Sequence, residues 1–357
     1  MLTRPRFTSF VFATLTAAFT LTQAHAQAPL TRDQLLAEMT PQMAEVVLLF
    51  DAIKGTPIIN LTPADARQQF SLEDTAKILE RGAGKAEQPL SVGNVRDGLT
   101  VPGTDGNQIP IRIYTPKGTG PFPVVVYFHG GGFVVATIDT YDASARTLAA
   151  NTPAIVVSVE YRKAPEAPFP AAYNDAISAY KWTLSNIATY NGNPGKVAVA
   201  GESAGGNLAT EVALAARDQN LQLPTTQILI YPVASSNTNQ LSDLLYTNSS
   251  LPLATPALPY FLNNYLSNTG VSSNDPRVAP INANLKGLPS ATIISAQIDP
   301  LASDGLAYYT ALQTANHNAT YRLFPGVTHE FFGLGAYIPT ALTAEQFASA
   351  QLAASFK

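Results

Sequence analysis

The chain has 357 residues, of which 46% are hydrophobic and 13% charged, and its net charge is −4. That balance suits a globular protein with a large core and excludes a disordered one. With no basic run, neither nucleic acid nor an anionic membrane has an electrostatic foothold. There is no cysteine, so disulfides, thiol nucleophiles and thiolate-bound metals are excluded together.

Residues 1–26 read as a secretory signal. Arg4 and Arg6 supply the charged start, Phe7 to Leu21 an apolar stretch diluted by threonine, and Ala24-His25-Ala26 an A-x-A cleavage site. The mature chain is then expected to begin at Gln27, to be exported to a periplasm or released, and to carry no membrane span. Residues 27–94 form an N-terminal helical region. Thr31-Arg32-Asp33-Gln34 opens it, Leu35, Leu36, Met39, Met43, Val46, Val47 and Phe50 recur at helical spacings, and Pro41 interrupts it. Helix resumes over Asp65 to Leu79. This region is expected to serve as a lid.

From residue 95 onward the pattern changes. Val92 to Val101 and Ile109 to Tyr114 alternate like antiparallel strands. Apolar runs, unbroken or nearly so, follow at Val124–Phe128, Ala154–Val159, Val197–Ala200, Gln227–Tyr231, Ala291–Ala296 and Thr320–Phe324. Helical segments separate most of them: Tyr141–Ala150, Ala171–Tyr190, Leu208–Asp218 and Asp304–Ala315. Buried strands alternating with helices predict an α/β fold, a mostly parallel central sheet flanked by helices. Ligands of such sheets bind at the carboxyl ends of strands. The alternation fails over about residues 235–271, a polar, proline-containing excursion that reads as a cap or binding loop, with Tyr260–Leu266 as a short helix.

Chemistry concentrates at those carboxyl ends. Gly201-Glu202-Ser203-Ala204-Gly205 is a G-x-S-x-G between a strand and a helix, the context of a nucleophile elbow. An activated serine needs a base, and the base an orienting carboxylate. His25 departs with the signal and His317 lies in an asparagine-rich turn. His129 precedes Gly130-Gly131-Gly132, a loop that offers backbone N–H groups to an oxyanion, and itself braces that loop. His329, after the last strand, remains as base. Asp299, after the strand at Ala291–Ala296, is the acid. Asp304 competes but belongs to the start of the next helix. The order Ser203, Asp299, His329 is that of α/β-hydrolases. Gly131, Gly132 and Ala204 are the oxyanion donors. Glu202 is read as a structural acid facing away from the nucleophile. No metal or cofactor is called for.

His129-Gly-Gly-Gly-Phe133, Gly201-Glu-Ser-Ala-Gly-Gly206, Asp299-Pro-Leu301 and Gly326-Val-Thr-His329, with Glu160-Tyr-Arg-Lys-Ala-Pro-Glu166, Phe169-Pro-Ala-Ala172 and Asp275-Pro-Arg-Val-Ala-Pro280, together resemble the bacterial hormone-sensitive-lipase-like esterases. The resemblance covers roughly Val95 to Leu334. It implies an α/β-hydrolase fold over residues 95–357 with a helical cap built from the N-terminal helices and the 235–271 excursion. It also implies hydrolysis of small-molecule carboxylic esters with short or medium acyl chains. The implied fold further admits a homodimer through an edge strand. Glu202 stands where many relatives have aspartate, and Ala302 where many have a charged residue. Tyr260, Phe261 and Tyr265 are candidates to line the pocket, with core packing as the competing role. An amidase or peptidase with the same triad, and a non-catalytic protein that binds a small ligand, are the two other readings of the motifs.

Overall fold

The computed structural model describes residues 28–84, 90–316 and 318–357. The secretory-signal reading of residues 1–26, the start at Gln27 and His317 lie outside the described residues.

Eight strands form one sheet among the described residues: β1 (Asn94–Pro102), β2 (Gln108–Thr115), β3 (Phe122–Phe128), β4 (Ile155–Val159), β5 (Gly192–Glu202), β6 (Gln227–Ile230), β7 (Ala291–Ile298) and β8 (Ala319–Thr328). Their order is β1-β2-β4-β3-β5-β6-β7-β8. β1 pairs antiparallel with β2, and β2 with β4; every other pairing is parallel. The six parallel strands therefore end on one edge, and loops leaving that edge are brought together from distant parts of the chain.

The continuous apolar runs have a direct packing reason. Side chains alternate across a strand, so Val124, Val126 and Phe128 of β3 enter one core while Val125 and Tyr127 enter the other. A strand covered on both faces cannot spare alternate positions for polar residues. The first core is closed by α6 (Ala171–Asn186), α7 (Ala204–Asp218) and α10 (Ala302–Asn316). The second is closed by α5 (Asp142–Asn151), α11 (Pro339–Ser355) and the N-terminal helices.

Those N-terminal helices are α1 (Arg32–Glu38), α2 (Pro41–Ile53), α3 (Pro63–Ala66) and α4 (Leu72–Gly82). α1 starts on a capping box between Thr31 and Gln34, and α4 on one between Ser71 and Asp74. Pro41 does not merely interrupt: it opens α2 at a position where its missing N–H costs nothing. The single helix expected over Asp65–Leu79 is two, because the Ser71 cap restarts the backbone after Arg67. Met43, Val46, Val47 and Phe50 of α2 are buried in the second core, so α2 packs on the sheet. The segment that reaches over the strand ends is the one after it. Within the excursion, α8 (Leu241–Leu245) and α9 (Ala257–Tyr265) are helical. Among the described residues no helix is long and apolar enough to cross a membrane.

Candidate active site

Ser203 sits between β5 and α7 in a left-handed conformation, φ 55° and ψ −118°. A non-glycine residue there stores about 1–3 kcal/mol of strain and needs neighbours that hold it. They are visible: the Ser203 N–H donates to Ile230 O at 2.9 Å, and Ser203 O accepts from Val233 at 3.1 Å and Asn207 at 3.2 Å. The flanking glycines are steric necessities. A Cβ on Gly201 would collide with Gly205 O, and one on Gly205 with the carbonyl oxygens of Phe128 and His129.

The three residues singled out as a triad meet. Ser203 Oγ is 3.0 Å from His329 Nε2, and His329 Nδ1 donates to Asp299 Oδ2 at 2.7 Å. Asp299 Oδ1 accepts the Leu301 N–H at 2.8 Å, so both carboxylate oxygens are engaged and the group cannot swing. All three residues are buried. Burial alone would push the His329 pKa down. The Asp299 charge and hydrogen bond, with Glu330 and Glu202 beyond, outweigh burial and hold it above the ordinary 6.5. The loop carrying His329 is fixed from outside: Gln297 Oε1 accepts the Gly326 N–H at 2.9 Å, and Gly326 O accepts the Thr40 N–H at 2.9 Å.

Asp304, the competing acid, is elsewhere. From the first turn of α10 it accepts the N–H groups of Ala234 and Ser235 at 2.8 and 3.1 Å, tying down the start of the excursion. His129 is fully buried, stacked on Tyr161 with ring centroids 4.3 Å apart. Its Nδ1 donates to Gly130 O at 2.8 Å. Burial pushes its pKa to about 4, so it is a neutral brace at neutral pH. Glu202 turns into the second core, where the Tyr127 hydroxyl donates to it at 2.5 Å and the Tyr231 hydroxyl donates to its other oxygen. Burial raises its pKa to about 7, against the lowering effect of both tyrosines.

Gly131 and Gly132, at φ 100° and 58°, line the same cavity as Ser203 and His329. Ala204 is the first residue of α7, whose N–H has no intrahelical acceptor. The cavity holds about 560 Å³, the size of ordinary small-molecule sites. Its walls come from the stretch between α2 and α4 and from the excursion, including Ile58, Phe70, Leu253 and Phe261. Tyr260 and Tyr265 do not line it. Tyr265 is buried, stacked on Phe133 at 3.8 Å and nearly parallel, which is core packing. Phe261 does line it, and its ring lies directly on the Cα of Gly132.

The sequence reading missed the wall segment at Phe50–Phe70 as individual residues, and Glu330. Glu330 borders the cavity beside His329 at φ 64°. No spacing rule marks the wall, since it is assembled from loops and short helices of separate stretches.

Comparison with known proteins agrees with this geometry. A family model described as alpha/beta hydrolase fold matches residues 125–333. Carboxylic ester hydrolase LipN of Mycobacterium tuberculosis is 38% identical over 242 residues, which span 66% of this chain and 64% of LipN. Ethyl acetate hydrolase of Pseudomonas putida is 31% identical over 313 residues, covering 85% of this chain and 95% of that protein. The solved hyperthermophilic esterase of the archaeon Pyrobaculum calidifontis superposes with a TM-score of 0.80 at 34% identity, over 88% of this chain and 98% of that one. The chain belongs to the α/β-hydrolase-fold family, in its hormone-sensitive-lipase-like esterase branch.

Proposed function

We propose that this protein is an exported carboxylic ester hydrolase acting on short- to medium-chain acyl esters through an acyl-enzyme. Ser203 attacks the ester carbonyl while His329 takes its proton and passes one to the leaving alcohol. Asp299 holds the imidazole tautomer and stabilises the imidazolium. The N–H groups of Gly131, Gly132 and Ala204 receive the oxyanion. Water, deprotonated by His329, then releases the acid. The observation that carries this reading is the unbroken hydrogen-bond chain from Ser203 through His329 to Asp299, opening on a cavity walled largely by apolar side chains. Export is supported by the charged, apolar and A-x-A pattern of residues 1–26.

The test is hydrolysis of p-nitrophenyl esters across acyl lengths by protein beginning at Gln27. Turnover greatest at short and medium chains is expected. No turnover of any ester by folded protein would leave an amide substrate or a binding role.

The pH profile is expected to follow His329. Only the neutral imidazole accepts the serine proton, so kcat/KM falls as pH drops, with its midpoint above 6.5. Glu330 contributes to that elevation, so Glu330→Gln is expected to move the midpoint down with the triad intact. A midpoint at or below 6.5 in the native enzyme would contradict the elevation of His329 by Asp299 and Glu330.

Phe261→Ala removes the ring resting on Gly132. It is expected to raise kcat/KM for the longest accepted esters relative to acetate by about 10-fold or more, the scale at which pocket methylenes are discriminated. An unchanged chain-length profile would remove Phe261 as the limiting wall.

A further inference from the structure

The Glu160–Glu166 segment takes no part in the chemistry above, yet three of its residues grip the loop after β3. Glu160 accepts the Ile138 N–H at 2.7 Å. The Tyr161 hydroxyl lies 2.9 Å from His129 O and 3.1 Å from Gly130 O. The Ala164 N–H donates to Phe133 O at 2.9 Å. The loop needs this support. Gly131, Gly132, Phe133 and Ala136 all lie at positive φ, the last two without glycine's freedom. Such a backbone persists only where its surroundings over-determine it.

One clamp comes from outside the sheet domain. Arg67, just past α3 in the N-terminal region, donates through Nε to Val134 O at 2.8 Å and through Nη2 to Ala164 O at 2.8 Å. The same guanidinium engages both oxygens of Glu166 at 2.9 and 2.7 Å. Val134 and Ala164 are buried, and the Val134 N–H donates in turn to Gly131 O at 3.0 Å. The Val135 N–H, in the same peptide unit as Val134 O, also donates to Gly131 O at 2.9 Å, so a path runs from Arg67 through that peptide unit to the carbonyl of a proposed oxyanion glycine.

We propose that Arg67 is a positioning residue that fixes the oxyanion loop, making the N-terminal region a working part of the catalytic centre. This rests on the esterase reading above. The planar fork of Arg67 satisfies two backbone carbonyls and a carboxylate at once, which a lysine ammonium cannot match in geometry. The Glu166 carboxylate is 61% exposed, so the ion pair itself contributes little. The two carbonyl contacts carry the effect.

The experiment compares Arg67→Ala, Arg67→Lys and Glu166→Gln with the native enzyme. Each is assayed for kcat and KM on p-nitrophenyl acetate, thermal midpoint, and inhibition by benzeneboronic acid, whose adduct with Ser203 places a tetrahedral oxygen where the oxyanion forms. Arg67→Ala is expected to lower kcat by about 10- to 100-fold, the scale of a displaced reacting geometry, with KM within about 3-fold. It should weaken the boronate in parallel. Arg67→Lys should recover little, and Glu166→Gln should stay within about 3-fold of native. If Arg67→Ala does not fold, Arg67→Lys with native kcat overturns the proposal. So does folded Arg67→Ala that loses thermal stability but keeps kcat and boronate affinity. Glu166→Gln as impaired as Arg67→Ala also overturns it. A native enzyme that neither hydrolyses esters nor binds the boronate overturns the esterase reading and this proposal with it; native activity beside unaffected Arg67 variants overturns this proposal alone.

Discussion

Ser203→Ala is expected to lower kcat on p-nitrophenyl acetate by about a million-fold while leaving the fold intact. The magnitude follows from the way triad members act as a unit: removing the nucleophile alone costs about as much as removing all three. What survives comes from the oxyanion donors and substrate binding. The fold is spared because the side-chain hydroxyl has one partner, His329 Nε2 at 3.0 Å. The strained backbone is held through the main chain, by Ile230, Val233 and Asn207, and alanine meets the same strain at φ 55° that serine does. The thermal midpoint should therefore stay within about 2 °C, since a ΔΔG of a few tenths of a kcal/mol moves a chain of this size by no more than that. Because the expected residual rate lies near the background, the assay must exclude native contamination by active-site titration. Turnover within about 100-fold of native would mean that another residue performs the attack.

Gly205→Ala is expected to be more damaging still, because it strikes the scaffold. The added Cβ would overlap the carbonyl oxygens of Phe128 and His129. These are main-chain atoms of β3 and the loop after it, and Phe128 is paired in register with Val159 on one side and Gly201 on the other. No rotamer change relieves such a clash, so the sheet or the elbow must shift. A cost of about 3 kcal/mol or more is expected, at the upper end for overpacking and a large share of the 5–15 kcal/mol that keeps a domain folded. Urea denaturation of the purified variant measures it, and any folded fraction should have lost turnover with the elbow. Gly82→Ala is the matched control. Gly82 ends α4 with nothing within 4 Å of an added Cβ, and alanine is the better helix former by up to about 1 kcal/mol. Native stability in Gly205→Ala would show that the elbow tolerates a side chain.

These expectations trace back to residues that announce themselves in the sequence, and it is instructive which ones do not. The inner strands were legible because both sheet faces are covered there, leaving runs such as Val124–Phe128 with no polar interruption, whereas β1 and β2 showed as alternation. The Ser203, Asp299 and His329 stretches were legible because each follows such a run, and a loop at a parallel strand's carboxyl end has one place to go. α11 was not. Its buried side is mostly Ala341, Ala344 and Ala348 with Leu352, and its exposed side is nearly as apolar, so no helical period stands out. Tyr265 stayed open between wall and core for a related reason: an aromatic at helical spacing looks the same whether it meets a cavity or, as here, the face of Phe133. Most of the cavity wall was illegible because Ile58, Phe70 and Leu253 share no local pattern, only a destination, whereas Phe261 stood out as an aromatic of the excursion.

That destination carries an evolutionary implication. The wall segments supply no strand to the sheet and no member of the Ser203–His329–Asp299 relay. Descent can therefore revise what the enzyme accepts by editing two surface stretches, so long as Arg67 keeps its hold on the oxyanion loop. Phe261 limits that freedom a second time. Resting on Gly132, it belongs to both the revisable wall and the reacting geometry, so changes in appetite routed through this residue will be felt as changes in rate.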